Sequence, residues 1–363
     1  MLSKFKYFSK FAGIGGFEQG ITKIYPEAEC VGYSEINKYS AAVYNYHFPN
    51  HKNYGDITKI NFAELPDFDL LTGGVPCQAW SIAGKQKGFD DPRGKMWFYF
   101  IELLKVKRPK MFIAENVKGL VMGENKTAFK FLISEFCKLG YAVDFHLFNS
   151  KDYGVPQNRE RIYIIGILQE NISDEFRLDK NRTIADSELF LFPKTKFEKY
   201  ASIERSFREQ SGRKILLVGK DEEDVNERKN DKPQTNICTT ITTRFGQRAD
   251  NTFVLKELTK GQSQGARIYD AEGLAVTQSS AGGGLGAKTG LYKISEGQVR
   301  KLTPVECERL QGFPDNYTKY GLFGSEVKEV SDTQRYFTLG NAVTVNVVEA
   351  IFEQVKNCKI IKQ

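Results

Sequence analysis

The sequence predicts an α/β protein: a mostly parallel sheet with helices on both faces, followed by a smaller, irregular β-rich unit. Three observations carry that expectation. Short apolar runs recur through the first half, separated by amphipathic stretches of helix length. Acidic, thiol and glycine-rich positions fall at or just past the ends of those runs, where open parallel sheets hold their ligands. After about residue 170 the texture changes, first to a charge-rich stretch and then to β-branched, hydroxyl, arginine and glycine residues without helical period.

The strand candidates are KYFSKFAG, AECVGYSE, FDLLTGG, KMFIAENV, YAVDFHLF and RIYIIGIL. FYFIELLKVK and AFKFLISEFCKLG read as amphipathic helices between them. Such alternation produces βαβ units and a layered α/β architecture. GKDEEDVNERKNDK reads as a solvated loop, and NAVTVNVVEAIFEQVKN as a closing helix apolar enough to pack back onto the first unit. The expected organisation is 1–190 for the first domain, 191–302 for the β-rich one, 303–336 for a connecting segment and 337–363 for the returning helix.

Composition narrows the function classes. At 363 residues, with 40% apolar and 27% charged content, the chain has the make-up of a soluble globular protein of about two domains. It contains no apolar run of the ~20 residues a membrane span needs, and the first residues lack the pattern of a secretory signal. Six dispersed cysteines without a CxxC pair argue against a disulfide framework or a zinc site and for a reducing cytoplasm. With three histidines and no ligand-like pair, no metal is expected. The net charge of +7 permits a polyanionic partner without requiring one.

FAGIGGFEQG follows the first strand and opens a helix, so its glycines either form a tight turn or let the backbone approach a ligand. It lacks a dinucleotide fingerprint, because Glu18 stands where the third glycine belongs. Glu35 ends the second strand, where an acid takes ribose hydroxyls, and Asp56 lies beyond, able to accept from an adenine amine. Together they suggest an adenosine cofactor without a pyrophosphate, a description that S-adenosylmethionine fits. Cys77, in GGVPCQAWS, is either a small buried hydrophobe or a nucleophile carried on a loop. Glu115, in AENV, is either a solvated strand end or an acid whose proton is retained by burial. Arg159 and Arg161 share one side of a strand by the two-residue alternation, suiting an anion or an exposed edge.

These motifs, in this order, resemble the DNA (cytosine-5) methyltransferases: FAGIGGF, GGVPCQAWS, ENV, QNRERIY, RKLTPVECERLQGFP and GNAVTVNV. The resemblance runs the length of the chain and is closest to the enzymes of bacterial restriction-modification systems. It implies a Rossmann-like S-adenosylmethionine domain interrupted by a target-recognition domain. By residue it implies Cys77 as nucleophile, Glu115 as the acid at cytosine N3, and Arg159 and Arg161 as the arginine pair. Phe11, Gly13, Gly15, Phe17, Glu35, Ile36, Asp56, Ile57, Pro76 and Asn341 match cofactor positions. Gln78, Ser81, Gln264, Arg267 and Thr277 match positions near DNA. Two departures stand out: Ile36 replaces an aromatic found in some members, and Ala342 replaces a frequent serine.

The resemblance further implies methyl transfer to carbon 5 of a flipped-out cytosine in double-stranded DNA through a Cys77 adduct, by a monomer. It also implies a cognate restriction endonuclease reading the same site. The rival within the chemistry is a tRNA cytosine-5 methyltransferase. A nucleotide-dependent oxidoreductase lacks its glycine pattern here and leaves PCQ and ENV without a purpose. A silent DNA-binding relative is disfavoured because every chemical residue is present, and an amino-group methyltransferase because no proline-aromatic tetrapeptide replaces PCQ.

Overall fold

The computed structural model describes residues 4–76, 80, 89, 91, 92, 94–172, 258, 267–270, 273–280, 288–295 and 298–357. Within them each predicted apolar run is a strand: β1 (Lys6–Lys10), β2 (Glu29–Ser34), β3 (Leu70–Gly74), β4 (Met111–Val117), β5 (Tyr141–Asn149) and, after a short β6 (Gln157–Asn158), β7 (Glu160–Leu168). The sheet order is β2-β1-β3-β4-β7-β5. Neighbours from β2 to β4 are parallel, whereas β7 runs antiparallel to both β4 and β5. The link from β5 to β7 is too short for a crossover, so the chain turns back on itself there.

Helices α1 (Gly16–Ile24), α2 (Lys38–His47), α3 (Met96–Lys107) and α4 (Asn125–Lys138) belong to the first part, and α5 (Pro304–Leu310), α6 (Asp332–Asn341) and α7 (Val345–Asn357) to the last. Successive strand side chains point to opposite faces, and the two faces bury separate cores. On one, Phe17 and Ile21 of α1 and Val348 and Ile351 of α7 pack on Tyr7, Leu70, Ile113 and Ile165. On the other, Trp97, Phe100 and Leu104 of α3 and Leu132 and Phe136 of α4 pack on Phe8, Leu71, Phe112 and Ile164. The expected α/β class and two-faced layering are therefore found. No helix among the described residues is long and apolar enough to cross a membrane.

The expected returning segment 337–363 begins in the last part of α6 and continues as α7, so the predicted closing stretch 341–357 is, beyond Asn341, helical only from Val345. Ala342 is extended (φ −70, ψ 152), which ends α6 at Asn341. Arg159 explains the break, because its guanidinium donates to the carbonyls of Gly340 (3.2 Å) and Ala342 (2.7 Å). Residue 337, the expected start of the returning helix, lies inside α6. Small β elements occupy the described part of 268–301: β8 (Ile268–Asp270), β10 (Leu291–Ser295) and β11 (Gln298–Lys301) form one sheet, and β9 (Ala275–Val276) pairs with β6. The expected boundary at residue 190 falls outside the described residues.

Between α5 and α6 the chain makes a hairpin, β12 (Tyr320–Phe323) and β13 (Glu326–Glu329), anchored by a buried carboxylate. Glu308 accepts from the backbone N–H of Asn316 (2.7 Å) and Thr318 (2.8 Å) and from Arg335 Nη2 (3.0 Å). Breaking a buried pair by removing one partner strands the other charge. Arg335→Met should therefore destabilise the protein by about 3–5 kcal/mol in a denaturant melt. A loss below about 1 kcal/mol, the range of exposed pairs, would show that this cluster does not anchor α5 to α6.

Candidate active site

The first wall is the turn from β1 into α1. Gly13 (φ 58) and Gly15 (φ 88) are left-handed, a conformation that glycine takes without a Cβ clash. Phe11 shares it (φ 53), uncommon for a residue with a side chain. The turn is pinned to the end of β2 by Glu35, whose carboxylate accepts from Gly13 N (2.9 Å) and Asn37 N (2.7 Å). Burial raises the titration of Glu35, and the backbone N–H groups oppose that rise. Asn53 clamps the same strand end, accepting from Glu35 N (3.2 Å) and donating to Glu35 O (3.0 Å). Asp56 accepts from the backbone N–H (3.0 Å) and hydroxyl (2.8 Å) of Thr58, bonds that hold its carboxyl below the usual range.

A cavity of about 450 Å³ opens beside this wall. Of the expected cofactor residues, Phe11, Gly13, Glu35, Ile36, Asp56, Ile57, Pro76 and Asn341 line it. Gly15 and Phe17 do not. Phe17 buries its ring in the core against α7, and Gly15 is closed off by Phe48, whose ring would lie 2.7 Å from an added Cβ. Ile36 is 75% exposed, so its side chain stands at the rim and not within the core. Ser34, Asn37, Met96 and Phe337 also line the cavity, although sequence reasoning missed them. Ser34 and Asn37 flank the strand end that Glu35 marks and were within reach of that signal. Met96 and Phe337 carry none, because packing of α3 and α6 brings them there.

The same cavity is lined by Glu115, Arg159 and Arg161. Glu115 pairs across strands with Tyr163, so Arg161, two residues earlier on β7, is its diagonal neighbour on one face. Arg161 Nε lies 3.2 Å from Glu115 Oε1, with both side chains largely buried. Burial raises the Glu115 titration, and the positive charges of Arg161 and then Arg159 oppose it. Arg159 is nearly inaccessible and is held by backbone, donating to Gln278 O (3.2 Å) besides Gly340 and Ala342. The two arginines expected on one side thus share the cavity but face different partners.

Asn116 Nδ2 donates to Val75 O (3.0 Å), fixing the backbone two residues before Cys77 to the end of β4. Cys77, Gln78, Ser81 and Gln264 lie outside the described residues. Thr277 Oγ1 donates to Asn158 O (2.5 Å), which places it beside Arg159, and Arg267 directly precedes β8. Among the described residues no group of His, Cys, Asp and Glu has the arrangement of a metal site.

Sheet order, glycine turn and acid-bearing second strand define the class as an α/β methyltransferase fold. The S. pombe Dnmt2 methyltransferase shares it (TM-score 0.60, 17% identity, 97% of this chain and 98% of that one). So does a putative prophage-encoded DNA modification methyltransferase of E. coli (TM-score 0.58, 19% identity, 97% and 98% covered). The chain belongs to the C-5 cytosine-specific DNA methylase family, whose model matches residues 5–357. It is 36% identical over 350 residues to the type II methyltransferase M.HhaI of Haemophilus parahaemolyticus, covering 96% of this chain and 94% of that protein. It is 37% identical over 311 residues to the orphan methyltransferase M.Rho11sI of Bacillus phage rho11s, covering 81% of this chain and 61% of that longer protein.

The electrostatics of the pair can be read directly. Arg161→Met removes the largest influence holding the Glu115 proton affinity down and leaves burial unopposed by it. The carboxyl should then titrate at higher pH than in the parent, measured by carbon NMR of labelled glutamate. A midpoint that stays in place or moves down would contradict the pairing.

Proposed function

We propose that this protein transfers a methyl group to carbon 5 of a cytosine flipped out of a specific double-stranded DNA sequence, as the modification enzyme of a restriction-modification system. The observation that carries this reading is the cavity that unites the Glu35-pinned glycine turn, the Glu115–Arg161 pair of β4 and β7, and Gly74, Val75 and Pro76, which lead from β3 into Cys77. The relative named as a type II methyltransferase supports the restriction-modification setting. A cognate endonuclease would read the same site without touching this chain, which acts as a monomer.

The residues present fit S-adenosylmethionine. Glu35 has both carboxylate oxygens fixed by backbone N–H groups, with lone pairs left for a ribose diol. Phe11, Ile36, Ile57, Pro76 and Met96 supply apolar surface for a purine, and Asp56 an acceptor for its amine. Bound there, the cofactor supplies an electrophilic methyl group. Carbon 5 of cytosine is too weak a nucleophile to take that group unaided. The Cys77 thiolate adds to carbon 6, forming an S–C6 bond and pushing electron density to carbon 5. Glu115, its proton retained by burial, donates to N3 as negative charge develops on the ring. Arg161 orients Glu115 and, with Arg159, adds positive potential that favours the thiolate. After carbon 5 gains the methyl group, its proton passes to water, the S–C6 bond breaks with the thiolate as leaving group, and N3 returns its proton to Glu115, restoring aromaticity. In a stacked duplex the neighbouring bases cover the ring faces from which carbon 6 and carbon 5 must be approached, so the base must leave the helix. Gln78 and Ser81 next to Cys77, and Gln264, Arg267 and Thr277 in the recognition segment, would hold the DNA.

DNA carrying 5-fluorocytosine tests the chemistry, because fluorine cannot leave as a proton and the adduct persists. A denaturing gel should show a cofactor-dependent protein–DNA adduct with the parent and none with Cys77→Ser. An undiminished adduct with Cys77→Ser would remove Cys77 from the mechanism, and an adduct on tRNA but not DNA would establish the RNA alternative.

A further inference from the structure

Glu18 is a carboxylic acid that the proposed mechanism does not use, in the first turn of α1 and three residues past Gly15. It is completely inaccessible, and neither carboxyl oxygen has a hydrogen-bond partner of ordinary geometry. The groups that face it are Tyr7 and Ser9 from β1, Cys30 and Tyr33 from β2, Tyr44 from α2 and Tyr317 from the segment after α5. From α7, Val348 packs on the same helix. Among the described residues no lysine, arginine or histidine acts on Glu18 directly. The Ser9 hydroxyl, the Glu18 backbone N–H and the Tyr44 hydroxyl act on it, each opposing the effect of burial.

This pocket is continuous with both fixed parts of the cavity wall. Gly15 is the residue on which α1 starts, so the glycine turn and Glu18 share one rigid piece of backbone. Tyr317 donates to Ile14 O (2.9 Å) inside that turn. Tyr33 stacks on Tyr44 with centroids 3.8 Å apart and leads directly into Ser34 and Glu35. Tyr44 in turn meets His51 Nδ1 (3.0 Å), which is partly exposed. Glu18, Tyr44 and His51 thus form a line from the dry interior to solvent.

We propose that Glu18, in its protonated form, is the positioning residue that keeps the glycine turn in its cofactor-binding shape, and that losing this proton through Tyr44 and His51 releases the turn. A neutral carboxyl sits among phenols and apolar side chains at far lower cost than a carboxylate. A carboxylate there has no cation to meet it, and burial of an unpaired charge is strongly unfavourable. Water must enter between α1 and the sheet to solvate it, which moves the backbone that begins at Gly15. Burial pushes the Glu18 carboxyl up to about 7, so the exchange falls in the neutral range. The sign follows from linkage: the binding form holds one more proton, so affinity falls as pH rises, by up to about tenfold per pH unit.

This inference rests on the cavity being the cofactor site. Titration calorimetry with S-adenosylhomocysteine at pH 6.5, 7.5 and 8.5 tests it, comparing the parent with Glu18→Gln, which mimics the neutral acid. The amino group of the ligand titrates identically in both experiments and cancels in the comparison. The parent should bind about tenfold or more weakly at pH 8.5 than at 6.5, relative to a Glu18→Gln protein that matches it at pH 6.5. Equal pH dependence in the two proteins would overturn the inference. Should Glu18→Gln not fold, Glu18→Met serves the same comparison, and a parent affinity that is flat across this range overturns the inference without any variant. Failure of the parent to bind at any pH would strike the cofactor reading itself, and this inference with it.

Discussion

One guanidinium holds together segments that are far apart in sequence. Arg159 donates to the carbonyls of Gln278, Gly340 and Ala342 and is nearly inaccessible to solvent. These are backbone acceptors at the end of a helix and in an irregular stretch, groups that would otherwise be buried without donors. Because Arg159 supplies those donors, α6 can stop at Asn341 and α7 can start at a new angle. That change of direction lets α7 cover α1 while Phe337, Gly340 and Asn341 remain in the cavity wall. The same bonds fix Gln278, next to Thr277, against the strand that carries Arg161. The cavity face and the described part of 268–301 therefore share one anchor.

From this anchor the division of charge in the cavity follows. Arg161, two residues along, faces Glu115 through Nε while its Nη1 donates to the Glu160 carbonyl (2.8 Å). Glu115 experiences opposite influences, with burial favouring its neutral form and the arginines its charged one. Burial prevails, which is the condition that the proposed role of Glu115 as a proton donor requires. Glu35 has the complementary arrangement on the cofactor side, where backbone N–H groups orient both oxygens. The two cavity glutamates thus differ in their partners: a cation with an open face for Glu115, a closed turn of peptide donors for Glu35.

Much of this was legible in the sequence, and the parts that were not share a cause. The strands could be read because apolar runs of five to nine residues bounded by turns have few other uses. Gly13 and Glu35 were legible because a turn and a strand end are local features. The break at Ala342 was not, since its cause lies at Arg159, far away in sequence. Met96 and Phe337 reach the cavity through packing, and Phe17, read as a cofactor contact, sits in the core. Glu18 and Lys10 look like surface charges in a one-dimensional reading, yet both are fully buried. The Lys10 ammonium lies over the rings of Phe11 (5.1 Å) and Phe100 (5.5 Å), and burial pushes its titration down.

The central claim is that Glu115 acts on the reacting ring and does not serve merely to hold ligands. Single-turnover methylation by Glu115→Gln, with DNA and S-adenosylhomocysteine affinities measured on the same protein, addresses it directly. Removing a general acid or a donor to developing charge typically slows the chemical step by about 10²–10³-fold. The account predicts a loss of that size, with both affinities within about threefold of the parent, a difference worth less than 1 kcal/mol. A parent-like rate, or a rate loss matched by an equal loss of DNA or cofactor affinity, would contradict it.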